Sequence, residues 1–258
     1  MIDVVNSLQS ADESTRRSHL EHLSHGQESY LESLAKNAQA LDIKIDGLRF
    51  GYALVRDATV LEFFIEQSNV SLANSALAAV VKFANANSIL CQSFDTVLMS
   101  AAKFLDWLDK PVAHLFRKFD TQKQLAISLE PQSASEAEMP RILSIHDGFF
   151  DDDDEIRSYI SDRSRLFIYQ RDGVDVACGI IKQTVSCRND YDIGMVVAPE
   201  YRGRGYGAEV LSHLKSYCLD LGWYPIAGCS MDNPASKRSL ERAGFIAEYQ
   251  LVRYARGA

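Results

Sequence analysis

"VAPEYRGRGYGAEVLSHL", Val197 to Leu214, is the stretch on which the reading of this chain turns. It follows an apolar run, DIGMVV, and enters an amphipathic pattern from Gly205 to Leu221, so strand, loop and helix succeed one another. Gly203, Gly205 and Gly207 alternate with Arg204 and Tyr206, and Arg202 precedes them. A surface turn needs one or two glycines; three at alternate positions let backbone amides approach a partner closely, with no side chains between. The start of a helix exposes unpaired N–H groups and partial positive charge, which makes it an anion site, most often for phosphate. Arg202 and Arg204 add charge, with the backbone expected to do most of the binding.

The spacing separates this loop from two other phosphate sites. No Gly-Lys-Ser or Gly-Lys-Thr follows the glycines, so it is not a P-loop. GxGxG replaces GxGxxG, and the elements before it read as hairpins rather than a βαβ series, which argues against a dinucleotide fold.

Working outward, KQLAISLE reads as a strand, and SASEAEMPRILSIHDGFF and DDDDEIRSYISD as helices. RLFIYQ and VDVACGIIKQTV form a hairpin about an RDG turn. PIAGCS, NPASKRSLERAG and FIAEYQLVRY read as strand, helix and closing strand. The second half is thus an α/β (α+β) unit with a mixed sheet. In the first half, residues 10–40 read as polar helices broken near Gly26. A hairpin about Arg56-Asp57-Ala58 comes next, then helix, strand, helix and the strand VAHLFRKF. Laying Ile65 on Val197 aligns the two halves, and Val70, Ser71, Ala73 and Ser75 then stand where the second half has Arg202, Gly203, Gly205 and Gly207. The segments are therefore 1–40, helical; 41–120, a partial half without the glycine loop; and 121–258, the complete half.

RGRGYG fits R/Q-x-x-G-x-G/A, and with DIGMVVAPEY before it and NPASKRSLERAGF after it the chain resembles the GNAT superfamily of acyl-CoA-dependent N-acyltransferases. The resemblance covers residues 121–254, and the weaker match at residues 48–119 makes the chain similar to tandem GNAT proteins with a degenerate first copy. It implies acetyl-CoA, or another acyl-CoA, as donor. By position, Met195, Val196 and Val197 would pair with the pantetheine arm, and the N–H of Val196 or Val197 would polarise the thioester carbonyl. The amides of Arg202, Gly203, Arg204, Gly205, Tyr206 and Gly207 would hold the pyrophosphate. Asn233 and Ser236 stand where the family contacts coenzyme A; they also fit a helix N-cap and a helix-surface serine.

Transfer to an amine needs the amine neutral, donors for the oxyanion and a fate for the thiolate. Asp192 and Tyr191 lie where the family places its base, although RNDYDIG also reads as a polar turn. The family's acidic tyrosine falls on Leu240, so a neighbour such as Tyr249 or Ser239 substitutes, or water protonates the thiolate. Asp151 to Glu155, with Phe149 or Phe150, would shape an acceptor site for a cationic amine; acids at a helix start also suit the dipole alone. The expected activity is transfer of an acetyl group to a primary amine of a small molecule by direct attack. The alternative is a noncatalytic acyl-CoA-binding regulator.

The 258 residues carry a net charge of −8, which disfavours nonspecific nucleic-acid binding. No apolar run would span a bilayer, and the five cysteines, an odd number without CxxC spacing, suggest neither a disulfide framework nor a zinc site. His19, His22 and His25, three apart, read as a solvated helix face rather than metal ligands. The expectations are a cytoplasmic protein, no metal, no membrane or nucleic-acid partner, and a first half that packs, walls the acceptor site or forms a homodimer.

Overall fold

The computed structural model describes residues 1–7, 13–160 and 164–257. In chain order the first elements are β1 (Ile2–Asn6), α1 (Glu13–His22), α2 (Ser29–Ala35), β2 (Gln39–Ile45), β3 (Leu48–Arg56) and β4 (Thr59–Ile65). After them come α3 (Ala73–Phe83), β5 (Ser88–Gln92), α4 (Thr96–Phe104) and β6 (Leu108–Phe119). The second series is β7 (Glu130–Ser133), α5 (Met139–Ile145), α6 (Asp153–Ser158), β8 (Ser164–Arg171), β9 (Val174–Gln183) and β10 (Asp190–Val197). It ends with α7 (Tyr206–Asp220), β11 (Tyr224–Ser230), α8 (Pro234–Arg242) and β12 (Phe245–Ala255). The chain forms two compact units, Met1–His114 with Tyr249–Ala258, and Leu115–Glu248.

In unit 1 the strand order is β1-β2-β3-β4-β5-β12, antiparallel except for β4 with β5. Short turns make the hairpins cheap to form. Asp46-Gly47 joins β2 to β3 at φ of 50° and 81°, and Asp57-Ala58 joins β3 to β4 at 49° and 56°. Positive φ at both central residues matches the twist of the flanking strands. Leu41, Ala53, Phe63 and Ile89 bury one face of the sheet against Leu77 and Val80 of α3 and Leu98 of α4.

In unit 2 the order is β11-β10-β9-β8-β7, with only β10–β11 parallel. The Asp172-Gly173 turn, at 53° and 77°, closes β8–β9 in the same way. Tyr191, Ile193, Val210, Leu214 and Leu240 pack one face of this sheet with α7 and α8. Ile142, Ile156, Ile168, Ile180 and Val196 pack the other with α5 and α6. β10, buried on both faces, therefore sends alternate side chains to opposite sides.

Several elements differ from those expected. KQLAISLE is not a strand; the strand starts at Glu130, because Leu125 N–H donates to Ser212 Oγ at 3.1 Å and Ser128 N–H to Glu209 Oε2 at 2.7 Å, so side chains of α7 take these amides in place of a ladder. The N-terminal segment is helical only in part: β1 and β2 flank α1 and α2. The expected helix start at Ser10 and the helix end at Ser161-Asp162 lie outside the described residues. The strand expected over DIGMVV is present and starts two residues earlier, at Asp190, so Asp192 lies inside β10. His19 is not solvated: it is 6 % exposed, its ring 5.5 Å from Phe64 and edge-on to Tyr52 at 6.0 Å.

Candidate active site

β10 and β11 pair only from Asp190↔Tyr224 to Asp192↔Ile226, so beyond Asp192 the two parallel strands separate. The remaining edge of β10 is open there. Ala198 N–H donates to Val176 O of β9 at 3.0 Å, in register with Val196↔Cys178. Alternation then turns the amides of Gly194 and Val196 toward β9 and those of Met195 and Val197 toward the gap. Of the two oxyanion donors expected, Val197 faces the gap and Val196 is spent on the sheet.

β10 runs through a short turn at Pro199–Tyr201 into the glycine loop. Gly203 and Gly205 hold φ of 78° and 92°, conformations that other residues adopt only under strain. The first bonds of α7 run from Ala208 and Glu209 N–H to Gly205 O at 3.0 and 3.3 Å. Among the described residues, the amides of Gly203, Arg204, Gly205, Tyr206 and Gly207 thus precede any helical partner, at the positive end of a 15-residue helix. A Cβ on Gly203 would meet nothing within 4 Å, so no other part of the chain covers the loop at that position. This backbone fits a diphosphate.

The neighbouring side chains divide their work. Arg202 braces the loop: its amide donates to Pro199 O at 3.3 Å, Nε to Val197 O at 3.0 Å, and Nη2 pairs with Asp147 at 2.6 Å. Its amide is therefore not one of the open donors. Arg204 Nη2 reaches back to Glu200 O at 3.1 Å, its guanidinium over the Tyr201 ring. Gly207 differs from the other two glycines. A Cβ there would lie 2.9 Å from Met195 Cε and 3.2 Å from Ser239 Oγ, so its bareness seats α7 against β10 and α8. Tyr206 packs its ring on the same core. A guanidinium that the sequence reading missed lies here: Arg242 Nη1 is 3.5 Å from where Gly205 would carry a Cβ. It comes from the last turn of α8, and no local spacing pointed to it.

Asn233 is the N-cap of α8, its Oδ1 accepting Ser236 N–H at 3.0 Å, which leaves the Nδ2 donors available. Ser236 gives its amide to that cap. Leu240 is 2 % exposed and belongs to the core. Ser239 Oγ donates to Ala235 O at 3.0 Å. Tyr249 belongs to unit 1, where its hydroxyl lies 3.0 Å from His25 Nε2.

Tyr191 and Asp192 part company. Tyr191 is buried and stacks on Trp223, ring centroids 4.0 Å apart at 4°, among the residues packed under α7. Asp192, one residue on, takes the opposite face, paired in register with Lys182. Lys182 Nζ lies 4.7 Å from the centre of the Tyr159 ring. Burial first, then the charges of Glu155 and Asp192, push the Tyr159 phenol well above its ordinary range, so it stays protonated and can only donate or accept a hydrogen bond. On the same face a Cβ on Gly194 would touch Phe149 Cζ at 3.3 Å, so bare backbone makes room for that ring. Phe150 is core. The acids of Asp151–Glu155 serve α6: Asp152 caps it through Glu155 N–H at 2.7 Å, Glu155 accepts Asp151 N–H, and Asp154 pairs with Arg157. Among the described residues no group of three or more His, Cys, Asp or Glu could hold a metal ion, and no helix is long and apolar enough to cross a membrane.

Residues 132–245 match the acetyltransferase (GNAT) family, and residues 10–118 match a second acetyltransferase (GNAT) domain. No curated protein matches the sequence. Solved structures share the fold at low identity. An acetyltransferase of the GNAT family from Colwellia psychrerythraea superposes with a TM-score of 0.87 at 15% identity, over 100% of both chains. A tandem GNAT protein from the clavulanic acid biosynthesis pathway gives 0.67 at 10%, over 98% of each. A GCN5-related N-acetyltransferase from Sphaerobacter thermophilus gives 0.63 at 14%, over 100% of this chain and 96% of that one.

Proposed function

Since the chain belongs to the GNAT acetyltransferase family, with two domains of it in tandem, we propose that unit 2 transfers an acetyl group from acetyl-CoA to a primary amine of a small molecule. The observation that carries this reading is the set of open amides from Gly203 to Gly207 directly beyond the separation of β10 from β11. The amides hold the diphosphate, and Arg242 adds charge beside them. The open edge of β10 holds the pantetheine arm, Met195 and Val197 offering the amides.

The amine nitrogen attacks the thioester carbonyl carbon, the C–S bond breaks, and the electron pair leaves on sulfur as thiolate. Val197 N–H donates to the carbonyl oxygen as negative charge builds there; a fixed donor of this kind is worth about 3 kcal/mol. Asp192, on the face shared with Phe149 and Tyr159, takes the amine's proton directly or through water. Tyr191, stacked in the core, positions β10 and takes no proton. No phenol stands at Leu240, so water protonates the thiolate. The aromatic wall of Phe149 suits an amine with an apolar portion.

The buried Leu240 favours one other reading, a unit that binds acyl-CoA without turning it over. Thiol release from acetyl-CoA across a panel of primary amines separates the two. Turnover that falls at least tenfold in Asp192→Asn, with acetyl-CoA affinity unchanged, supports transfer. Saturable binding with no thiol release from any amine supports the regulator.

A further inference from the structure

Unit 1 holds a cavity of about 720 Å³ that acyl transfer does not use, between the C-terminal end of α1, the end of β4 and the start of α4. The volume suits a small organic ligand. Phe64, Phe94, Leu23 and Val97 supply apolar wall. Its charged residues are the carboxylates Asp95 and Glu66; neither lysine nor arginine lines it, and the titratable bases are the imidazoles of His19 and His22.

Asp95 is the unusual member. It is 8 % exposed and caps α4 by accepting Leu98 N–H at 3.1 Å. Among the described residues it forms no ion pair. Its neighbour Glu62, on β4, is as deeply buried but is matched by Arg16, with Nη2 to Oε1 at 2.6 Å and Nε to Oε2 at 3.0 Å. Burial acts most strongly on Asp95 and disfavours its ionised form; His19 from α1 and the backbone N–H groups of Leu98 and Val97 favour that form, and Glu62 opposes it. Cys91 and Tyr52 in turn feel its charge. A carboxylate withdrawn from water without a cation is costly, and burial accordingly raises its pKa. The cavity therefore presents a carboxylate with incomplete charge compensation beside the rings of Phe64 and Phe94, the surroundings in which an ammonium ion is stabilised by both charge and ring faces.

We propose that this cavity binds a small organic ammonium ion with an apolar body, its cationic head at Asp95 and its body against Phe64 and Phe94. An acyl-CoA is a poor fit. The segment equivalent to the glycine loop, Gln67–Leu72, is a short 3-10 helix without a positive φ. A neutral ligand of the same shape leaves Asp95 uncompensated.

The test uses the whole chain with carbon-13-labelled leucine and valine methyls, titrated with phenethylammonium and with its neutral isostere 2-phenylethanol. Expected are saturable shifts at Leu23, Val70 and Val97, with phenethylammonium at least tenfold tighter. Asp95→Asn, which keeps an acceptor for Leu98 N–H, should remove that preference. Leu23→Trp, which narrows the cavity at its α1 wall and leaves Asp95 in place, should weaken phenethylammonium binding and reduce the shifts at Val97. Equal affinity for the two probes, undiminished affinity in Asp95→Asn, shifts confined to residues 115–248, or displacement of the same methyls by acetyl-CoA would each overturn the proposal.

Discussion

At Gly205 the backbone turns left-handed, φ 92°, with the Arg242 guanidinium beside it. Valine there would carry roughly 1–2 kcal/mol of backbone strain and disturb the open amides together. Gly205→Val is expected to weaken acetyl-CoA binding at least tenfold while far-UV circular dichroism stays native. Lys215 works by burial. Wholly inaccessible, its Nζ donates to Asp120 O at 3.0 Å and to Lys123 O and Ala243 O at 2.7 Å, closing the end of α8. Lys215→Met removes these donors and leaves buried carbonyls unmet, so denaturant unfolding should show a loss of about 2–4 kcal/mol. Asp95 gives a pH signature. Its folded pKa is raised, so the folded state holds the proton more tightly, and stability falls as pH rises from the unfolded value through the folded one. Asp95→Asn should therefore melt higher than the parent at pH 7, with the advantage shrinking toward pH 4. Individual residues were unevenly legible in the sequence. The glycines announced themselves because few other needs place three at alternate positions. Arg242 and Lys215 did not, since each acts across a gap in sequence that only the folded chain closes.

α7 lies against the sheet at places where β9 and the helix itself lack side chains. A Cβ on Gly179 would be 3.0 Å from Val210 Cγ1 and 3.1 Å from Leu214 Cδ1, and one on Gly207 would meet Met195. Gly179→Ala pushes the helix outward from the middle; overpacking of this kind costs about 1–3 kcal/mol. The expected result is a lower Tm together with a higher KM for acetyl-CoA, because the amides at the helix start move with it. Elements with strong local signals were readable from sequence: the Asp-Ala and Asp-Gly hairpins, the alanine-rich α3, and the run from β10 into α7. Those decided by distant partners were not. Lys123–Glu130 alternates like a strand but spends amides on Ser212 and Glu209. β1 is a five-residue strand at the sheet edge, giving a period of two little length in which to appear. His19 follows the same logic: its three-residue spacing says nothing of Tyr52 and Phe64, which cover it.

The two units share a design. In each, a parallel pair of strands holds together for two or three residues and then separates, β4 from β5 after Val60 and β10 from β11 after Asp192. They differ at the next step in the chain. Unit 2 follows its strand with left-handed glycines and open amides; unit 1 follows with a 3-10 turn whose Asn69 N–H bonds to Glu66 O at 2.8 Å. Sequence showed that difference as a loss of glycines but not its counterpart, a polar cluster in which Arg16 binds Glu32 and Glu62 beneath α1. Calorimetric titration of the whole chain with acetyl-CoA tests the central claim most directly. One molecule should bind per chain, with the heat lost in Gly205→Val. Two equivalents per chain, or full binding by that variant, would contradict the assignment of the donor site to the glycine loop of unit 2.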